Sequence, residues 1–287
     1  MAEQLIRELE GAGYKCFVPL EKKSCFDVAA RNGDRFLLLK VFTNIDSLRE
    51  PQAQNLKALA ASLGATPIVI GEKSKAYELK TGLVYDRYGV TVVSIETFTQ
   101  LLRGYLPKKR FYKGRVVAEI DATKLEQASP TELAKELHVT REAIYSYRHG
   151  TRVEFEKALE MERILDEPLI KEINPFSVPT KQSPMLTGYL QKMHTLGFDV
   201  VPVHRGFDAL AKEKESLLVD SERSEAYAKR KAKFVAKAAD FFESHPVIVM
   251  ESRRSTIKGV PVLREKEIAE AESAEGLTDL VKKRKKQ

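Results

Sequence analysis

The chain has 287 residues, 43% hydrophobic and 31% charged, with a formal net charge of +7. That balance describes a water-soluble globular protein of two domains or three small ones, and no apolar run approaches the roughly 18 residues of a membrane span. Cys16 and Cys25 are the only cysteines, too few for a disulfide framework or a zinc site, and they fit reduced thiols in an intracellular, cytoplasmic chain.

The positive charge is concentrated in two places. Residues 104–118 contain Lys108, Lys109, Arg110, Lys113 and Arg115 and no acid, and the C-terminus carries Lys282, Lys283, Arg284, Lys285 and Lys286. Such one-sided segments attract phosphate; the terminal one reads equally as a frayed, solubilising end.

In chain order, residues 1–112 read as an α/β unit. Residues 4–12 form an amphipathic helix with Leu5, Ile6 and Leu9 apolar and Gly13 ending it, unlike a signal peptide. Short strands are expected at 14–19 and 26–30, with Asn32-Gly33-Asp34 as a hairpin turn. FLLLKVF at 36–42 is almost wholly apolar, which suits a central strand covered on both faces. A helix over 51–63, a buried strand at 67–71, a strand at 90–93 and a helix at 95–102 capped by Ser94 complete the unit.

Residues 113–176 are expected to form a central all-α domain. Asp121 caps a helix carrying Leu125, and Ser129 to Gly150 (SPTELAKELHVTREAIYSYRHG) reads as two short helices joined by a tight turn. Ser129 caps the first, Pro130 suits its first position, and Glu132 completes a capping box. Ala134 and Leu137 face inward, His138-Val139 is the turn, Thr140 caps the second helix, and Ile144 and Tyr147 face the core. Helical spacing then puts Arg141, Glu142, Tyr145, Ser146 and His149 on one outward face. Thr151 and Glu154 spell a further capping box for a longer helix, and 169–173 adds a short last piece. The proline-rich stretch 174–184 reads as a linker.

Residues 177–287 repeat the first unit in outline. Leu196-Gly197-Phe198, Phe207-Asp208-Ala209-Leu210-Ala211, Pro246-Val247-Ile248-Val249 and Gly259-Val260-Pro261-Val262-Leu263 follow the order of related blocks at 12–14, 26–30, 67–70 and 89–93. The pattern predicts an internal duplication.

Three resemblances follow from these residues. Ala134, Val139, Ile144 and Gly150 resemble the phage-repressor and Cro class of helix-turn-helix domains, except that the usual turn glycine is His138, where a left-handed backbone carries a side-chain cost. The helix, strand, strand with early Asp and strand ending near a Lys resembles the restriction-endonuclease-like fold, particularly archaeal junction resolvases. That family holds Mg²⁺ with an Asp and an acid two residues before a Lys. Asp27 and Lys40 match, but the intervening acid is replaced by Leu38; the second copy keeps Asp208 in front of Val219-Asp220-Ser221, with Asp220 and Glu222 nearby. The whole order of parts, with LIRELEGAGY, FLLLKVFTNID, GFDVVPV and FDALA, resembles a family of archaeal HTH-type transcriptional regulatory proteins.

Together these imply a degenerate nuclease-like α/β domain at 1–112, a Cro/repressor-type domain at 113–176 and a second degenerate nuclease-like domain at 177–287. The expected activity is sequence-specific binding of double-stranded DNA by a homodimer, with no catalytic residues, metal or cofactor. Thr140, Arg141, Glu142, Tyr145, Ser146 and His149 are the expected contacts on the recognition helix. Arg148 and Arg152 are candidate phosphate contacts, and Lys108, Lys109 and Arg110 are auxiliary anchors. The alternative is a nuclease or junction-binding enzyme that the helix-turn-helix only targets.

Overall fold

The computed structural model describes residues 1–19, 24–180, 186–203, 207–251 and 255–286. These fall into two compact units, one of residues 1–13, 41–53 and 68–177 and the other of residues 14–40, 54–67 and 178–287.

The first stretch runs α1 (Ala2–Gly11), β1 (Lys15–Phe17), β2 (Val28–Asn32), β3 (Arg35–Asn44), α2 (Glu50–Leu63), β4 (Thr66–Lys73), β5 (Leu83–Arg87), β6 (Val90–Val93) and α3 (Ile95–Leu102). The hairpin signal at Asn32-Gly33 is a real turn: Asn32 pairs with Arg35 and Gly33 has φ +54°, which a glycine adopts without a side-chain clash. Leu37, Leu38 and Leu39 are completely buried, as an apolar central strand requires. Ser94 caps α3 by accepting a hydrogen bond from the Thr97 amide.

The next stretch runs β7 (Lys109–Tyr112), β8 (Arg115–Ala118), α4 (Ala122–Leu125), α5 (Pro130–Glu136), α6 (Arg141–Arg148), β9 (Val153–Glu154) and α7 (Phe155–Leu165). The expectation of an all-α segment is corrected here. β7 and β8 form an antiparallel hairpin, and Val153 and Glu154 pair with Ala118 and Val117 of β8. That pairing also overturns the capping box read at Thr151 and Glu154. With 153–154 held in a ladder, α7 begins only at Phe155, and its N-cap Glu154 makes no side-chain cap. Residues 169–173 are not helical either; Ile170 bridges to Ile120. A core of Ala118, Leu125, Leu133, Leu137, Ile144, Val153, Ala158 and Met161 joins these helices to β8 and β9. Of the expected linker, 174–180 has no regular structure and 181–184 lies outside the described residues.

The last stretch runs α8 (Gly188–Thr195), β10 (Asp199–Pro202), β11 (Ala209–Lys212), β12 (Ser216–Ser221), α9 (Glu225–Phe241), β13 (His245–Val249), β14 (Thr256–Ile257), β15 (Val260–Leu263), α10 (Glu265–Glu270) and α11 (Ala274–Lys285). Its sheet order, β10-β11-β12-β13-β15-β14, repeats the order β1-β2-β3-β4-β6-β5 at the start of the other sheet. The basic C-terminus is no frayed end. It is the last part of α11, where Lys282 pairs with Glu215, and Arg284 pairs with Glu267 and reaches the Val262 carbonyl. Glu267 is held down at about 2, chiefly by the Arg284 hydrogen bond.

Within the second unit, Phe17, Phe26 and Phe36 pack on Phe241 and Phe242 at the end of α9, with ring centroids 5.4–6.1 Å apart. Cys25, beside this cluster, has its thiol pushed up to about 12 by burial, which makes it a poor nucleophile at neutral pH.

Phe242 also meets Phe207 at 5.9 Å. Truncating it to Ala should cost about 3–5 kcal/mol in urea unfolding; a loss below about 1 kcal/mol would show that the cluster is not a packed core. At the α5–α6 turn, His138 has φ +52°. His138→Gly removes the steric cost of that left-handed backbone and should raise stability by about 1 kcal/mol.

Candidate nucleic-acid interface

The α5–α6 pair is built as its caps require. The Ser129 hydroxyl accepts from the Glu132 amide at 3.4 Å, and the Thr140 hydroxyl accepts from the Ala143 amide at 3.2 Å. The His138 amide closes on Lys135 and the Val139 amide on Ala134, which turns the chain from one helix into the next. Leu137 and Ile144 are fully buried between them. Gly150, at φ +84°, ends the second helix.

With that face buried, Thr140, Arg141, Glu142, Tyr145, Ser146 and His149 are all exposed. Glu142 is held below the usual carboxylate range by a hydrogen bond from its own amide and another from Thr140. The His149 Nδ1 lies 2.7 Å from the Tyr145 carbonyl. A carbonyl only accepts, so Nδ1 carries the proton.

Arg148 points inward instead. Its Nη2 donates to the carbonyls of Leu125 at 2.7 Å and Ala128 at 2.6 Å, tying α6 to the corner between α4 and α5. Arg152 is half-buried, with Nε donating to Glu119 at 3.3 Å and its guanidinium 4.6 Å from the Tyr112 ring. Arg110 lies 3.9 Å from the same carboxylate. Lys108 and Lys109 are exposed, and the Lys109 ammonium stands 4.3 Å from the Phe155 ring. Glu119 and Tyr112 were not singled out in the sequence. A lone acid after a basic run carries no spacing signal, and only the hairpin brings it under two arginines.

The nuclease-like positions are equally well defined. In the first copy the Lys40 ammonium is buried, 2.8 Å from Asp27 Oδ1 and 2.8 Å from the Ser24 carbonyl. The position two residues before it is Leu38, fully buried. The Asp27 amide bonds the Leu39 carbonyl and the Asp208 amide bonds the Val219 carbonyl. Lys40 is therefore matched by Asp220.

In the second copy the cation comes from a helix. Lys231 on α9 lies 3.2 Å from Asp220 Oδ1 and 3.0 Å from Glu222 Oε1. Asp208 accepts from the Tyr189 hydroxyl at 2.6 Å, from the Ser221 amide at 3.0 Å and from the Ser221 hydroxyl. A divalent ion needs several oxygen ligands at close range. Among the described residues no three His, Cys, Asp or Glu side chains are grouped to hold one. The donor sets of both copies, each tied up by a lysine, therefore do not fit the metal that the fold family implies.

Asp220 is only 1% exposed and its Oδ2 has no hydrogen-bond partner among the described residues. Its carboxyl is pushed up to about 7, chiefly by burial and further by Asp208 and Glu222, against the pull of Lys231. The unfolded chain, with an ordinary value near 3.9, releases this proton first. The resulting cost is absent below about pH 4, grows as pH rises and is complete above about pH 7. Asp220→Asn should match the native protein in urea unfolding near pH 4 and exceed it by about 2–4 kcal/mol near pH 8. A difference that does not change with pH contradicts this account.

Residues 1–107 match the model of the PD-(D/E)XK superfamily domain. Over nearly its full length the chain is similar to three archaeal proteins, each named a "putative HTH-type transcriptional regulatory protein". That of Methanothermobacter thermautotrophicus is 31% identical, covering 92% of this chain and 90% of the relative. That of Pyrococcus furiosus is 30% identical, covering 96% and 94%. That of Thermococcus kodakarensis is 29% identical, covering 99% and 97%. No solved structure matches the chain significantly. No described helix is long and apolar enough to cross a membrane. With a nuclease-like α/β start and a capped helix pair after it, and with 30% and 31% identity over at least nine-tenths of two relatives, the chain belongs to the archaeal family named "putative HTH-type transcriptional regulatory proteins".

Proposed function

We propose that the protein is a sequence-specific double-stranded DNA-binding regulator of transcription, acting in the cytoplasm as a homodimer. The observation that carries this reading is the exposed polar face of α6, held on a buried Ile144 and Leu137 by two hydroxyl caps. In this reading α5 and α6 are a helix-turn-helix and α6 lies in the major groove. Arg141 pairs with a guanine edge, while Tyr145, Ser146 and His149 meet bases or phosphates along the same face. Thr140 and Glu142 begin the helix at the groove. Lys108, Lys109 and Arg110 hold the backbone beside it, and Arg152 serves as a phosphate contact braced by Glu119. Arg148 anchors the helix pair from within rather than touching phosphate. The names of the relatives agree with this reading.

A second reading, a DNA-processing nuclease or junction-binding enzyme, draws on the superfamily match over residues 1–107. Leu38 in place of the second acid and the ion pair of Lys40 with Asp27 weigh against it, and the proposed regulator is not an enzyme. Incubation with linear and branched DNA in Mg²⁺ or Mn²⁺ decides: cleavage that vanishes in Asp27→Ala would establish the nuclease.

A DNA site is first selected from a random library with the full-length protein. Arg141→Ala should weaken that site by about 1–3 kcal/mol and relax the preference at one base pair. Unchanged affinity and unchanged preference would remove Arg141 from the readout.

A further inference from the structure

At the C-terminal end of α6 lies a cleft of about 1000 Å³, walled by the β7–β8 hairpin, Tyr147, the residues between α6 and α7, the start of α7 and Lys171. That volume is at the upper end for small-molecule sites. Its lining is divided by chemistry. Val117, Ile120 and Val139 are apolar, and the Tyr147 ring is half-buried beside them. Burial raises the Tyr147 hydroxyl above its ordinary value, so it is neutral and able to donate at physiological pH.

The rest of the lining is charged and unbalanced. Lys113, Arg115, Arg152, Lys157 and Lys171 face Glu119 and Glu154. The two acids are matched inside the cleft: Arg115 lies 2.9 Å from Glu154 and Arg152 3.3 Å from Glu119. Lys157 is engaged by Glu160 and the Leu137 carbonyl, both outside the lining, and Lys171 lies 3.9 Å from Asp121, also outside it. With those two outside acids counted, the surplus at the cleft is one positive charge, carried by Lys113. Lys113 and Arg152 stand 5.3 Å and 4.6 Å from one ring, that of Tyr112, which places aromatic and cationic surface together.

We propose that this cleft binds a small organic anion carrying a planar ring, of the nucleotide class, as an effector. The apolar and aromatic lining takes the ring, and the cations take the phosphate. A continuous DNA backbone suits the site less well, because it would leave the apolar lining of Val117, Ile120 and Val139 unused. The wall of the cleft includes Gly150 and Thr151, directly after the recognition helix, so occupancy bears on how α6 is held against the hairpin. This inference goes beyond the DNA-binding reading and does not depend on it.

The test is isothermal titration of the full-length protein with ATP as the probe, alongside adenosine and inorganic pyrophosphate. ATP should bind with a micromolar Kd, and adenosine and pyrophosphate at least about ten-fold more weakly, since each engages only one kind of lining. Lys113→Glu and Lys171→Glu should each weaken ATP at least about ten-fold with unchanged circular dichroism and urea midpoints. Absence of ATP binding at millimolar concentration, or binding unaltered by both charge reversals, overturns the proposal. So does a selected DNA duplex that competes with ATP, if the two variants lose the duplex and keep the nucleotide.

Discussion

An ammonium group buried in an apolar strand must be surrounded by acceptors, and Lys40 in the middle of FLLLKVF sets that demand on the first α/β motif. The Ser24 carbonyl and Asp27 answer it, each at 2.8 Å. Asp27 is thereby tied to a lysine, and with Leu38 in place of a second acid there is no oxygen set for a divalent ion. A single charge in the core thus decides the local hydrogen bonds and the chemistry open to the site.

The second motif meets the same geometry with the signs exchanged. Its strand carries the anion, Asp220, and the helix α9 supplies the cation, Lys231. Asp208, without a strand lysine, turns to Tyr189 and Ser221. Asp220 is buried with two further carboxylates near it, and burial above all holds its proton up to neutral pH. The matched backbone bonds of Asp27 with Leu39 and of Asp208 with Val219 keep the two frames aligned while the side chains diverge.

Much of this was legible in the sequence where a local rule acts alone. The Ser94, Ser129 and Thr140 caps, the Asn32-Gly33 turn and the apolar run of β3 all follow from residue types at short spacing. The outward face of α6 followed from helical periodicity, and the left-handed His138 from the missing glycine. What stayed hidden depends on partners distant in sequence. The hairpin strands KRFY and RVVA are partly polar and gain their order from pairing with each other and with Val153 and Glu154. The same pairing defeats the capping signal at Thr151. The terminal lysines and arginine look solvated in sequence, yet Glu215 and Glu267, 67 and 17 residues away, hold two of them. Periodicity likewise gave no sign that Arg148 faces inward, because its acceptors are carbonyls 20 and 23 residues away.

The exchange of charge between positions 40 and 220 has a consequence for how such a protein can change over time. When two identical subunits assemble, one gene writes both, and a lysine in one strand is a lysine in the other. Two copies carried on one chain are released from that bookkeeping: each can drift alone, and a substitution ruinous if doubled can be tolerated once. The opposite choices at Lys40 and Asp220 are of a kind that two identical subunits could not make.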